Sequence, residues 1–391
     1  MEGARTRGQP AALAAVGSMI RGGAPHAVLL VGPPGVGKTT LALDLAAGLL
    51  CTAEDPAARP CGACRACRLV ASGGHPDLHR VGPEGPGRQV VIGGPGSRVR
   101  GIRDLIAELA LLPVEGGARV AIVESAHRMN EDAQAALLKT LEEPPAGVTL
   151  ILCADAEEPL LPTIRSRCAR LRLGPVGIRE VEAILAEHGV ADTPLASRLA
   201  RITAGRPGLA LAWARQPEAL RVRDELSRSL LDLLAARPAD RLAGVRAAVL
   251  RAGSLTAIGN GVAEAASAVV KPATSALSDP SDANGDLGDE GAATVRTPAA
   301  ERRRAAEALL GLWTDTARDL ALCRRGLERS VRDVGLLDET AAQAQRLDAG
   351  ELDAFLDRLG RASVLLVANV SPELVLDDLA LAWPRPTAVA A

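Results

Sequence analysis

The sequence predicts an α/β protein: a parallel-sheet nucleotide-binding domain followed by an all-α C-terminal part. Three observations carry this. A glycine-rich stretch at 32–40, Gly-Pro-Pro-Gly-Val-Gly-Lys-Thr-Thr, lies between an apolar β-branched run at 28–31 and an apolar helical pattern at 41–50. Two further apolar runs, at 119–123 and 148–153, read as buried strands separated by helical segments. From residue 217 onward the pattern is helical almost throughout.

The glycine-rich stretch has the form of a phosphate-binding loop. Gly32, Gly35 and Gly37 let the backbone turn so that its N–H groups converge on one phosphate. The helix beginning near Lys38 adds the positive end of its dipole. In this pattern Lys38 reaches the β/γ-phosphates and the Thr39 hydroxyl ligates Mg²⁺, with Thr40 adjoining. ATP with Mg²⁺ is the cofactor such a loop takes.

Composition narrows the field. The chain has 391 residues, enough for two or three domains, and a formal net charge of −2, which excludes an overall basic nucleic-acid binder. There is no Tyr, one Phe (Phe355) and three Trp, so base stacking on aromatic platforms is not expected. No apolar run reaches the roughly 18 residues of a membrane span. Residues 1–10 carry no apolar signal-peptide core, and a soluble cytoplasmic protein is the expectation.

In chain order, a helix is expected at 11–20, ahead of the strand, loop and helix of 25–50. A cysteine cluster follows: Cys51, then Cys61-Gly-Ala-Cys64-Arg-Ala-Cys67. Four thiolates at this spacing suit tetrahedral structural Zn²⁺, with Arg65 and Arg68 offsetting the charge. Disulfides are the alternative, disfavoured in a reducing compartment, and His75 and His79 are near enough in sequence to be alternative ligands. Cys153, Cys168 and Cys323 read as small buried apolar residues.

Residues 80–97 read as loop with a short strand at 89–92, and Ile102, Leu105, Ile106 and Leu109 define an amphipathic helix stopped by Pro113. The strand at 119–123 ends in Glu124, the Walker B position, whose carboxylate holds the Mg²⁺ shell in P-loop ATPases. The neighbour that usually orients water is here Ser125, which has no activator of its own. Asn130 caps a helix with Glu131 and Asp132 in its first turn, ended by Pro144-Pro145. Helices are expected at 179–189, 195–204 and 209–215, then at 217–236, 239–251, 299–326, 338–347, 350–368 and 372–383. Residues 252–298, rich in Gly, Ser, Asp and Ala, read as a disordered insertion.

The order of motifs resembles the bacterial clamp-loader branch of the AAA+ ATPases. The specific elements are Leu-Leu-Lys-Thr-Leu-Glu-Glu-Pro-Pro at 137–145, Ser166-Arg167-Cys168, Gly205-Arg206-Pro207-Gly208, and the cysteine spacing followed by Gly74-His75-Pro76-Asp77. The resemblance covers nearly everything outside 252–298. It implies an AAA+ domain at 1–173 with an inserted zinc module at about 51–79, a helical lid at 174–215 and a helical collar for oligomerisation at 216–391. It implies that Lys38, Thr39 and Glu124 serve the nucleotide, that Arg206 reports bound nucleotide from the lid, that the four cysteines hold zinc, and that Arg167 is an arginine finger pointing into a neighbour's ATP site. Implied partners are the other clamp-loader subunits of a hetero-pentamer and, through that assembly, the sliding clamp and primer-template DNA.

Within the family, the degraded Glu124-Ser125 pair and the helices around Val367-Ala-Asn-Val370 are similar to the stator subunit rather than the motor. Ala135 stands where the family usually has Asn, and the segment before the first helix is short. These departures argue against hydrolysis, while the intact loop leaves ATP binding open. Two alternatives remain: a motor-type ATPase with Glu131 or Asp132 replacing the missing carboxylate, and a zinc-containing AAA+ adaptor outside replication.

Overall fold

Val28, Leu29 and Leu30, fully buried, form the second strand from one edge of a parallel sheet on which the N-terminal unit is built. The computed structural model describes residues 3–84, 89–97, 99–115, 117–268, 299–368 and 370–386. It divides into two compact units, the first spanning Met1–Arg215 and the second beginning at Gln216.

In the first unit the chain runs α1 (Pro10–Gly22), β1 (Ala27–Val31), α2 (Lys38–Leu50), α3 (Arg65–Ser72), β2 (Leu78–Val81), α4 (Ile102–Leu109), β3 (Arg119–Val123), α5 (Glu131–Glu142), β4 (Val148–Ala154), α6 (Pro162–Ser166) and β5 (Ala169–Arg172). Three short helices follow: α7 (Ile178–Glu187), α8 (Thr193–Ile202) and α9 (Pro207–Arg215). The strand order is β2-β3-β4-β1-β5, all parallel. The predicted parallel α/β class is therefore observed: β1, β3 and β4 were expected and β2 and β5 were not, while the short strand expected at 89–92 is present only as isolated bridges of Gln89 to Glu84 and Val90 to Met129.

The three central strands read as continuous apolar runs because helices cover both faces of a parallel sheet. Leu29, Val123, Leu150 and Leu152 pack with Ile102, Leu105, Leu137 and Leu141 of α4 and α5. Each fully buried Leu or Ile contributes about 1.5–3 kcal/mol. Register places the functional ends together: Val31 pairs with Ala154 and Arg172, and Val123 with Leu152. The residues just beyond these carboxyl ends form one crevice, where open α/β sheets bind ligands.

The second unit is helical: α10 (Pro217–Asp232), α11 (Pro238–Ala268), α12 (Ala299–Arg324), α13 (Leu337–Ala344), α14 (Ala349–Val367) and α15 (Pro372–Ala382). A C-terminal helical domain was expected and is present. Trp313, Phe355 and Trp383 meet in its core with ring centroids 4.6–5.8 Å apart. One expectation is corrected here. Residues 252–268 are not a disordered stretch but the continuation of α11. Their alanines favour helix even where few large apolar residues are present. Residues 269–298 of the expected insertion lie outside the described residues.

Candidate functional site

The loop at 32–40 turns out of β1 into α2 through two left-handed glycines, Gly35 (φ 78°) and Gly37 (φ 106°). A side chain at either would be strained, and the space around Gly37 is open. Gly32 is needed for a different reason: a Cβ there would stand 2.3 Å from the Leu173 carbonyl oxygen. No side chain caps the start of α2, so its first amides and its dipole face the cradle. Backbone shape, open space and a lysine at the helix start fit the phosphates of a nucleotide. Thr39 and Thr40 lie half-buried in the first turn of α2.

Lys38 is 92 % shielded, with 8 % of its surface exposed. Its ammonium donates to the carbonyls of Gly32 (2.7 Å) and Pro33 (2.8 Å) and pairs with Asp155 Oδ1 at 2.7 Å. Asp155 is the first residue after β4. His127 braces it: the Asp155 N–H donates to His127 Nδ1 at 3.1 Å, and His127 Nε2 faces Asp155 Oδ2 at 3.4 Å. Ser125 brings His127 there. Its left-handed conformation (φ 51°) reverses the chain after β3 into the tight turn Ala126–Arg128. Burial pushes the His127 imidazolium pKa down, against the upward pull of Asp155, so the neutral ring is favoured.

Glu124 follows β3, and its N–H donates to the Val81 carbonyl. One oxygen of its carboxylate is already engaged: Arg80 of β2 donates to Oε1 through Nε at 2.9 Å and again through Nη2. Glu131 and Asp132, the alternative carboxylates, are exposed in the first turn of α5, where they complement the helix dipole.

Arg206 lies against the loop. Its Nε donates to the Thr203 carbonyl at 2.8 Å, and its Cβ lies 3.7 Å from where a Gly35 Cβ would be. Two residues on, the Gly208 N–H donates to the Gly35 carbonyl at 2.8 Å. Arg167 is placed elsewhere, at the end of α6. It pairs with Glu142 of α5 at 2.9 Å and donates to the Thr163 carbonyl, with 36 % of its side chain exposed.

The four cysteines form a second site. The Sγ atoms of Cys51, Cys61, Cys64 and Cys67 all lie within 4.8 Å of one another. The Cys51–Cys64 and Cys61–Cys67 separations are 3.9 and 4.0 Å, close to the roughly 3.8 Å edge of a tetrahedron with ~2.3 Å zinc–sulfur bonds. All four are free thiols, too far apart to be disulfide-bonded. Backbone N–H groups of Cys64 and Ala63 pull Cys61 down. Burial raises Cys64, but N–H donors from Cys67 and Thr52 overcome it and bring it to about 5. Burial pushes Cys51 and Cys67 up. The donor set fits a soft divalent ion, and the backbone N–H groups around Cys61 and Cys64 favour their thiolate forms.

The two histidines do not join this cluster. His75 Nδ1 accepts from the Asp77 N–H and its Nε2 faces Glu115, while His79 pairs with Glu108 at 2.8 Å. Arg65 pairs with Glu115, and Arg68 donates to the Ala63 carbonyl. The cluster also touches the N-terminal segment. The Gly3 N–H donates to the Pro60 carbonyl, and the buried Asp44 carboxylate accepts from the N–H groups of Arg5 and Thr6.

Sequence reasoning did not single out Arg80, His127 or Asp155. Only strand register and the turn after β3 bring them to the site. The one available signal was position: Asp155 immediately follows an apolar run that the P-loop strand must pair with.

Fold and loop together define a parallel α/β domain with a phosphate-loop-type turn at 32–40 and an attached four-cysteine cluster. Comparison with known proteins narrows this. Residues 8–177 match the sequence model of the family described as DNA polymerase III, delta subunit. The chain is 43 % identical over 145 residues to DNA polymerase III subunit delta' of Pseudomonas aeruginosa, covering 37 % of this chain and 42 % of that protein. It is 35 % identical over 197 residues to the delta' subunit of Escherichia coli, covering 50 % of this chain and 57 % of that one. The chain thus spans about half the length of these relatives. A solved DNA polymerase III gamma subunit-related protein of Thermotoga maritima aligns over 94 % of this chain and 97 % of its own, at 16 % identity and a TM-score of 0.38. The resemblance to the clamp-loader delta prime subunit carried by the motifs is borne out over this N-terminal region.

Proposed function

We propose that this chain is the delta prime-type stator of a DNA polymerase III clamp loader. It joins motor and delta subunits in a hetero-pentamer that loads the sliding clamp on primer-template DNA at the expense of ATP, in the cytoplasm. The observation that supports a stator over a motor is the pairing of Glu124 with Arg80 beside Ser125. The carboxylate that would hold the Mg²⁺ shell is engaged by a guanidinium, and its neighbour cannot orient water.

In this reading residues 1–173 are the AAA+ domain with the zinc module at about 51–79, 174–215 the lid and 216–391 the collar. Cys51, Cys61, Cys64 and Cys67 hold a structural Zn²⁺, which supplies folding energy to the segment that carries them. Gly32, Gly35, Gly37, Lys38, Thr39, Thr40 and Arg206 are the residues that would surround ATP. Arg167, held by Glu142 at a partly exposed position, supplies positive charge in trans to the γ-phosphate of a neighbouring motor.

ATP turnover of the reconstituted assembly tests this. Arg167→Ala in this chain is expected to remove much of the DNA- and clamp-stimulated turnover, and Lys38→Ala to leave it intact. Loss with Lys38→Ala and none with Arg167→Ala would make the chain a motor, the reading that the intact loop favours.

A further inference from the structure

We propose that Asp155 is an internal counter-anion that competes with nucleotide phosphate for Lys38 and thereby sets the affinity of the loop. The proposal rests on residues 32–40 being a phosphate site and goes beyond it, because it assigns the residue that decides how readily that site accepts a polyphosphate.

An ammonium has three N–H donors. Those of Lys38 are matched by three acceptors: the Gly32 carbonyl, the Pro33 carbonyl and Asp155 Oδ1, at 2.7–2.8 Å. A phosphate oxygen reaching Lys38 must therefore replace one of them. The two carbonyls belong to the loop and move only if the loop is rebuilt. Asp155 is a side chain with 37 % of its surface open, and it is the acceptor that exchanges.

The competition is not loose, because Asp155 is held from behind. Its own N–H donates to His127 Nδ1, which fixes the ring proton on Nε2, and that N–H faces Oδ2 at 3.4 Å. One carboxylate oxygen is thus turned to Lys38 and the other to His127. Strand register sets the position: Ala154 pairs with Val31, so Asp155 stands beside Gly32 at the mouth of the loop. An incoming polyphosphate meets a fixed negative charge where the loop offers its own positive one. Like charges at such distances in a partly shielded site disfavour binding strongly.

The ligand class is a nucleoside di- or triphosphate, and charge rather than shape is what Asp155 selects against. An uncharged side chain of the same size would leave the ammonium free to turn to phosphate.

Equilibrium binding of Mg-ATP to the full chain tests this, comparing wild type, Asp155→Asn, Asp155→Ser and the double variant Lys38→Ala/Asp155→Asn. Both single variants are expected to bind at least tenfold tighter than wild type, and the double variant to lose the gain. A second readout needs no nucleotide. Without ligand, Asp155→Asn is expected to melt below wild type, because Lys38 loses its counter-charge, and inorganic pyrophosphate should raise its Tm more than that of wild type. Equal or weaker binding by both single variants, with wild-type binding still dependent on Lys38, overturns the proposal and leaves the phosphate-loop reading standing. No Lys38-dependent binding in any variant overturns both. Either result is separate from the fate of the stator reading, which is decided by Arg167 in the assembly.

Discussion

Arg80 lies on β2 and Glu124 is the residue that follows the neighbouring parallel strand β3, and the guanidinium closes on that carboxylate. The pair is largely shielded, with 16 % and 21 % of the two side chains exposed. Removing one partner leaves the other charged and poorly solvated, at a cost of about 1–3 kcal/mol. Arg80→Ala is expected to lower unfolding free energy by that amount in urea titrations. Glu124→Gln keeps an acceptor and should cost less. A double-mutant cycle should give a coupling above about 0.5 kcal/mol, and additivity would show that the pair is not formed in solution.

Arg167 and Glu142 make the opposite case. Both ends of this pair are exposed, at 36 % and 51 %, and such bridges contribute about 0–1 kcal/mol. Arg167→Ala and Glu142→Ala should each leave the melting temperature of the isolated chain nearly unchanged. In the assembly, only the arginine variant should lose turnover. A large drop in Tm for Arg167→Ala would reassign the residue to stability.

The cysteine cluster should take one zinc per chain, and its pH dependence has a fixed sign. Cys64, at about 5, is ionised at neutral pH, whereas burial holds Cys51 and Cys67 protonated. Binding the ion expels those protons, so zinc affinity rises with pH and falls on acidification. Chelator competition at several pH values measures this. Stripping the metal should also speed amide exchange at Gly3, whose N–H rests on the Pro60 carbonyl beside Cys61. Unchanged exchange in the stripped protein would show that the segment is held by Asp44 alone.

Two histidines give the first unit an acid sensitivity. Burial depresses the pKa of His127 and of His79, although Asp155 and Glu108 respectively pull upward. In the unfolded chain both titrate near about 6.5. Below that pH the unfolded state binds protons that the folded state refuses, so stability falls as pH drops from about 6.5 toward the depressed folded values. Above it both states are neutral and the contribution is constant. His127→Asn should flatten the fall in Tm across that window, and an identical pH profile would show that His127 is solvated in the native state.

The central strands were legible because a strand buried on both faces must be a continuous apolar run, as at 119–123 and 148–154. The edges were not. β2, Leu-His-Arg-Val, has no period-two pattern, and in β5, Ala-Arg-Leu-Arg, alternation over four residues does not stand out from loop. α3 was hidden inside the cysteine spacing, although Cys64 is its N-cap. The loop glycines and Lys38 were readable because that chemistry is local. The engagement of Lys38 by Asp155 and of Glu124 by Arg80 depends on which strands are neighbours, and strand order is set by packing rather than by any local pattern. The end of α11 was missed for a compositional reason: a stretch with few large apolar residues was read as unable to fold, while its alanines extend a helix already begun.

Arg241 is the residue on which the second unit should depend most. It is 1 % exposed, and its guanidinium donates to the carbonyls of Leu234, Ala236, Trp383 and Pro384. It therefore satisfies the chain just after α10 and ties it to the chain just after α15, where Trp383 in turn donates its indole N–H to the Leu230 carbonyl at 3.0 Å. Carbonyls at helix ends have no partner within the helix, and each one orphaned in a buried place costs about 1–3 kcal/mol. Arg241→Ala should lower stability by about 3 kcal/mol or more, with loss of the Trp383–Phe355 contact visible in near-ultraviolet circular dichroism. Arg241→Lys offers three donors in place of five and should recover only part of the loss. If Arg241→Ala unfolds the chain during expression, Arg241→Lys still decides the matter. A lysine variant as stable as wild type would mean that charge alone, not the fork of donors, holds the two helix ends.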